Sequence, residues 1–263
     1  MNPGLTRTAQ SLGNEIREEW PTRVLKIYRR RRSRLREVLG RFSHACIERK
    51  RGTHPHERWE TERTAIAIWA REGFRVPRIL DDAPPVDVDG PSLWLERVDG
   101  QTFFWLTHDP KISLGRKQEL AARLGRDHSR RHRRARELGE IRLLHEHPTT
   151  KHVLVSNDEL VTIDHEGGFA ADYPLTLAIA FEVAGFLRPL WTGETLCLDA
   201  PLPAAYLQGY GDVSLLSDAC RAWFGSEAWQ PLRRASDRRR RGDRSKSTIM
   251  DEVRDRLRGG TLG

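Results

Sequence analysis

The stretch HEHPTTKHVLV, residues 145–155, sets histidines at positions 145, 147 and 152 just ahead of a β-branched run. Three imidazoles this close could gather a zinc ion, line an active site, or serve as packing and hydrogen-bonding residues of a rigid loop. Zinc sites on a helix use histidines four apart, and Pro148 argues against a continuous helix here. Downstream, residues 153–155 and 160–163 are two β-rich runs separated by the turn-prone SNDE, which predicts a hairpin, and Asp164 leaves the end of its second strand. A loop residue, a second residue five positions on, a hairpin and then an aspartate is an order that suits phosphoryl transfer. That chemistry needs a base or orienting group beside the acceptor hydroxyl, and hard oxygen ligands that hold Mg²⁺ across the nucleotide phosphates. His147 is the candidate base and Asp164 the candidate ligand.

Upstream elements must present a cation to the same phosphates. In TRVLKIYRR, Val24, Leu25, Ile27 and Tyr28 surround Lys26 with strand-forming neighbours, so Lys26 is either a functional amine or a solvent-facing lysine on an edge strand. In HERWETERTAIAIWAREGFRVPRIL, Ala65, Ile66 and Trp69 recur at helical spacing before Gly73 ends the helix and Pro77 follows. Glu62 lies one turn before Ile66. A carboxylate near that buried stripe requires a cationic partner, for which Lys26 is the candidate, although Glu57 and Glu60 compete for the inward position. SLWLERVDGQTF reads as a strand over 93–95 that breaks into a hinge, where the backbone at Glu96 and Val98 could hydrogen-bond an adenine edge. The segment KQELAARLGRDHSRRHRRARELGEIRLL predicts one or two helices with Leu120, Leu124 and His128 on one face; its arginines form a solvated face or a phosphate contact.

Taken in order, Lys26, Glu62, Glu96-Arg97-Val98, His145-x-His147-x₄-His152 and Ile163-Asp164 resemble the protein-kinase-like fold in its bacterial small-substrate branch. That branch includes the aminoglycoside phosphotransferases and the lipopolysaccharide core sugar kinases. The resemblance runs over about residues 13–210 and also includes EGFRVPRIL and LWLERVDGQTF. It implies an α+β, bilobal architecture: a small β-rich lobe over residues 1–98 and a larger mostly helical lobe over 99–232. Composition, rich in arginine and serine, separately marks 233–263 as a basic, solvated and partly disordered tail. The resemblance implies ATP and Mg²⁺ as cofactors. Lys26 would hold the α and β phosphates, Glu62 would position Lys26, Glu96 and Val98 would meet adenine, and Gly13 in SLGNE would belong to a reduced phosphate-covering loop. Asp164 and His152 would bind the metal. His147 stands where these families carry the catalytic-loop aspartate, and His152 where many carry asparagine; the lipopolysaccharide core kinases share a histidine at the latter place. A neutral imidazole accepts a proton but supplies no negative charge. An active kinase and a degenerate, ATP-binding regulator are therefore both open.

Composition narrows the partners. A chain of 263 residues can bury a sizeable core, and its net charge of +8 favours anionic partners such as nucleotides, phosphorylated sugars, acidic lipid headgroups or nucleic acid. Cys46, Cys197 and Cys220 are far apart, which indicates neither a disulfide framework nor a thiolate metal site and suits a reducing, cytoplasmic setting. No signal peptide or membrane-length apolar run is present. A small hydroxyl compound or glycolipid is the expected acceptor, and the arginine-rich tail could rest on anionic lipid at the inner membrane. Nucleic-acid binding is an alternative of another class, though no zinc finger, RNP motif or helix-turn-helix signature accompanies the basic residues.

Overall fold

The structure, a computed structural model, describes residues 8–11, 14–18, 20–30, 50–51, 54–191, 198–225, 235, 239 and 245–259. The protein is α+β, and the chain divides into two compact units, residues 1–100 with 154–170 and residues 101–153 with 171–263.

The first unit is built on an antiparallel sheet of β1 (Thr8–Ser11), β2 (Asn14–Arg17), β3 (Arg23–Tyr28), β4 (Ile79–Leu80) and β5 (Ser92–Glu96), in the order β1-β2-β3-β5-β4. β3 lies between β2 and β5, with Lys26 opposite Ile16 on one side and Leu93 on the other. Period-two alternation sorts its side chains. Leu25 and Ile27, fully buried, pack with Trp94, Trp20, Leu80 and Val88, which leaves Lys26 and Tyr28 for the opposite face.

Helix α1 (Pro55–Arg71) supplies the partner for that face. It opens with Pro55 in the first turn and a capping box between His54 and Glu57, and the chain leaves it through Gly73 at φ +77. Pro55, Arg58, Glu62, Ala65, Ile66 and Trp69 form its buried stripe. Among the three candidate glutamates, Glu60 is exposed, Glu57 caps the helix, and Glu62 points inward.

The hairpin expected after the histidine loop is β6 (Val153–Ser156) and β7 (Glu159–Thr162). Its two turn residues, Asn157 and Asp158, both have positive φ, the conformation of a type I′ turn whose twist matches the flanking strands. From Leu154 onward this hairpin belongs to the first unit, not to the portion 99–232 expected from the sequence. The Thr162 N–H donates to the Arg75 carbonyl, and Gly168–Phe169 pairs antiparallel with Lys50–Arg51.

The second unit is helical: α2 (Phe103–His108), α3 (Leu114–Leu138), α4 (Leu175–Leu190), α5 (Pro201–Tyr210), α6 (Val213–Phe224) and α7 (Lys246–Arg258). The arginine-rich segment is one 25-residue helix, α3, capped by Ser113 and closed by Gly139 in the left-handed region. Most of its arginines lie outward, but Arg131 is fully buried in a bidentate pair with Glu182 of α4. α3 and α5 cross backbone to backbone. A Cβ on Gly125 would stand 2.1 Å from the Tyr206 carbonyl oxygen, and one on Gly209 would stand 2.0 Å from that of Ala122.

The tail expected to be solvated is corrected over its last part. Residues 246–258 form α7, which packs against α4 and α6 with Ile249, Met250 and Val253 fully buried. Those three residues fall on one helical face, an apolar stripe that the surrounding arginines conceal in the composition. No helix among the described residues is long and apolar enough to cross a membrane.

Candidate functional site

In the first unit the Lys26 ammonium lies 2.7 Å from Glu62 Oε2, 2.7 Å from Asp164 Oδ1 and 3.4 Å from Glu166 Oε2. Three N–H donors thus face three carboxylates. The four arrive on three elements: Lys26 on the inner face of β3, Glu62 on the buried stripe of α1, and Asp164 and Glu166 on the segment that follows β7. There Asp164 adopts φ +66, a left-handed conformation that aspartate tolerates better than most residues. His165 then turns inward, its ring 4.5 Å from that of Trp69 and its Nε2 3.1 Å from the Thr162 carbonyl oxygen. With His165 so anchored, Asp164 and Glu166 on either side of it both reach Lys26.

A second tier holds the carboxylates. Tyr28, two residues from Lys26 on the same strand face, donates from its hydroxyl to Glu62 Oε2 at 2.6 Å. Asn14 on β2 donates through Nδ2 to Glu166 Oε2, and its Oδ1 accepts from Arg58 Nη1 at 2.6 Å. Arg58, fully buried one turn before Glu62, also lies 3.5 Å from Glu166 Oε2 and donates to the Arg29 carbonyl.

Acids and bases interleave here: Glu62, Asp164 and Glu166 all face Lys26, and Arg58 faces Glu166. The consequences follow in the protonation equilibria. Burial alone would push the Lys26 ammonium down, but the three carboxylates outweigh it and hold the amine well above its ordinary value, hence charged. Glu62 is pushed up by burial first and by the charges of Asp164 and Glu166, which Lys26 does not fully offset. Burial and the Glu62 carboxylate likewise raise the Tyr28 hydroxyl, which stays a donor.

One oxygen from each of Glu62, Asp164 and Glu166 lies within 4.8 Å of the others, a donor set suited to a hard cation. Asp164 is the most open of the three, with its side chain 30% exposed against 2% and 4% for Glu62 and Glu166.

The other candidates fall as follows. Glu96 ends β5; its N–H donates to the Arg78 carbonyl, and its carboxylate is held by Arg75 and Arg78, chiefly Arg75, which lowers it to about 2. Val98 follows just beyond, partly buried, after Arg97 donates its N–H to the Thr22 carbonyl. Gly13 lies outside the described residues.

The histidines at 145, 147 and 152 belong to the second unit. His147 is about half exposed, with Nε2 2.9 Å from the buried Glu146 carboxylate. His152 has Nδ1 3.0 Å from the His147 carbonyl oxygen. His145 is buried, its ring 5.4 Å from that of His152. Among the described residues these three do not form a metal-ligand cluster.

Sequence reasoning named Lys26, Glu62 and Asp164 and missed Glu166, Asn14, Arg58 and Tyr28. Arg58 and Tyr28 carried a readable signal, since each sits at the right period from a named residue, i−4 on the helix and i+2 on the strand. Glu166 and Asn14 lie outside any such period from Lys26 and Glu62.

The chain matches no protein-family model and no curated protein.

Proposed function

We propose that the protein is an ATP-dependent phosphotransferase of bilobal, protein-kinase-like construction, with the sheet-bearing unit as the small lobe and the helical unit as the large one. The acceptor in this reading is a sugar, glycolipid or other small hydroxyl compound. One observation carries the proposal: the Lys26 amine lies 2.7 Å from carboxylates of both Glu62 and Asp164, residues 36 and 138 positions away in the chain.

In this reading Lys26 holds the α and β phosphates while Glu62, itself held by Tyr28, keeps the ammonium extended toward them. The donor set fits Mg²⁺, because three hard carboxylate oxygens converge. Asp164 and Glu166 would hold the ion, which when bound neutralises charge on the phosphate oxygens. The backbone at Glu96 and Val98 meets the adenine edge. His147 accepts the proton of the attacking hydroxyl. A lipopolysaccharide-type glycolipid at the inner membrane suits the chain's basic residues, which would lie against anionic headgroups.

His147 in place of an aspartate favours a second reading, an ATP-binding regulator without turnover. The two share the nucleotide site and differ in phosphate transfer.

Mg²⁺-ATP should stabilise the wild type by about 2.7 kcal/mol at a hundredfold excess over its Kd. Lys26→Ala and Asp164→Asn should each lose that increment when compared with their own nucleotide-free form. An undiminished increment in both variants would remove the proposed site. Steady phosphate transfer to an envelope sugar or aminoglycoside would exclude the regulator.

A further inference from the structure

Large apolar side chains that stand in water are few on this chain, and two of them share one corner of the helical unit. Among the described residues the well-exposed ones are Val86, Trp105, Leu114, Leu138 and Val213. Trp105, 68% exposed, and Leu114, 54% exposed, lie on either side of the turn that joins α2 to α3. Helix α2 is anchored from below: Phe103 and Thr107 are buried, with Thr107 Oγ1 donating to the Phe103 carbonyl, while Trp105 and His108 face outward. Phe104 lies at the centre of the outer side. The Trp105 ring meets it edge-on at 6.1 Å, the His108 ring stacks on it at 4.1 Å, and the Lys151 ammonium lies 4.9 Å from its centre.

The charge around these rings is positive and available. Lys111 stands in the turn, Lys117 follows Leu114 at i+3 and so shares its face of α3, and Lys151 sits over Phe104. Among the described residues none of these three ammoniums forms an ion pair. The neighbouring acids are engaged: Asp109 Oδ1 accepts the Lys111 N–H at 2.8 Å, and Glu119 pairs with Arg116 at 2.7 Å. Caps hold the corner in shape, since Thr102 accepts the Trp105 N–H and Ser113 accepts the Arg116 N–H. Two raised side chains are too small a patch for a stable protein interface, which needs about 1,000 Å² or more. A bilayer has no such requirement. Rings and leucine sink into its headgroup layer while lysine stems follow and keep their ammoniums at the lipid charge.

We propose that the α2–α3 corner docks the protein on an anionic bilayer. Trp105 and Leu114 enter the headgroup region, and Lys111, Lys117 and Lys151 neutralise lipid charge there. Two apolar side chains and three lysines give reversible, salt-sensitive binding, not permanent insertion. The site goes beyond the phosphotransferase reading: it needs no nucleotide, and its failure would leave the roles of Lys26 and Asp164 untouched. For a glycolipid acceptor, the same contact brings the chain to the surface that holds it.

The test sediments the full chain, without nucleotide, with vesicles of phosphatidylcholine and phosphatidylglycerol in equal parts, and with vesicles of phosphatidylcholine alone. The wild type should bind the anionic vesicles, release them as salt rises, and bind the neutral ones about tenfold more weakly or less. Trp105→Ser should weaken anionic binding on the order of tenfold. Lys111→Ser, Lys117→Ser and Lys151→Ser should each weaken it about fivefold. Val213→Ser, which removes an exposed apolar side chain from α6, should bind like the wild type. Trp105 and Lys111 stand in solvent, so their variants should keep the wild-type urea midpoint. Brominated lipid should quench part of the tryptophan fluorescence of the wild type, and less of it in Trp105→Phe. No binding by the wild type, or binding undiminished in Trp105→Ser and in the lysine variants, would overturn the proposal. Self-association that Trp105→Ser abolishes, in a wild type that ignores vesicles, would assign the corner to a protein contact instead.

Discussion

Lys26→Met removes the ammonium that three carboxylates share and keeps an apolar stem of similar length. At 2.7 Å and an effective dielectric near 20, the contact with Glu62 represents roughly 6 kcal/mol of gross attraction. The Asp164 contact has the same length, but with the carboxylate 30% exposed it is discounted for solvent screening. Opposing both is the desolvation of the ammonium itself, several kcal/mol, which the variant no longer suffers. The net loss expected is about 3–5 kcal/mol, the usual cost of breaking a buried ion pair from one side. For a chain of 263 residues, at about 2–4 °C per kcal/mol, Tm should fall by roughly 6–20 °C. The same change removes one positive charge from among Glu62, Asp164 and Glu166. Mg²⁺ should therefore stabilise Lys26→Met more than the wild type, by about 2.7 kcal/mol at a hundredfold excess over Kd. Urea denaturation followed by tryptophan fluorescence, with Mg²⁺ or with EDTA, measures both effects. A loss under about 1 kcal/mol would refute the claim that the carboxylates depend on Lys26. An Mg²⁺ increment as large in the Lys26→Met/Asp164→Asn double variant would show that the ion binds elsewhere.

Gly185→Ala should push Pro148 away from α4, since the new Cβ meets Pro148 at 2.2 Å from Cγ and 3.1 Å from its carbonyl oxygen. Stability should fall by about 1–3 kcal/mol. Phosphate transfer should fall while Mg²⁺-ATP stabilisation persists, and unchanged kcat would show that the loop's seating is irrelevant to turnover. His128 and His132, buried on α3 against Tyr206 and Tyr210, are both held below the ordinary imidazole value of 6.5, first by burial; the Arg131 charge adds to this, and Glu182 partly opposes it. Between the folded and unfolded values the unfolded chain binds more protons, so stability is complete above about pH 6.5 and declines as pH falls below it. Urea midpoints across pH 5–7.5 check this; His128→Asn should flatten the slope, and an equally steep slope would exclude His128 as its source.

Much of the site was legible before any coordinates. The strand-forming neighbours of Lys26 were plain in residues 23–28, and helical spacing put Glu62 beside the apolar stripe of α1, with Glu57 and Glu60 still competing for the inward place. The turn residues Asn157 and Asp158 announce the hairpin that delivers Asp164. These are local signals, set by the period of a strand or helix and by the φ values a residue tolerates. Glu166 gave no such signal, being a loop glutamate among many. Arg131 looked like every other arginine of α3, and the apolar stripe of α7 was hidden by its charged neighbours.

Amino-acid order by itself determined the strand around Lys26, the helix that carries Glu62 and the hairpin before Asp164, because these follow from backbone period and turn chemistry alone. Tertiary structure decided which charges are buried and which partner each one takes. Whether a glutamate is a solvated surface group or the acid that holds Lys26 depends on what approaches within about 3 Å in space. Asp164, 138 residues from Lys26 along the chain, does so because the first unit folds the segment after β7 onto β3 and α1.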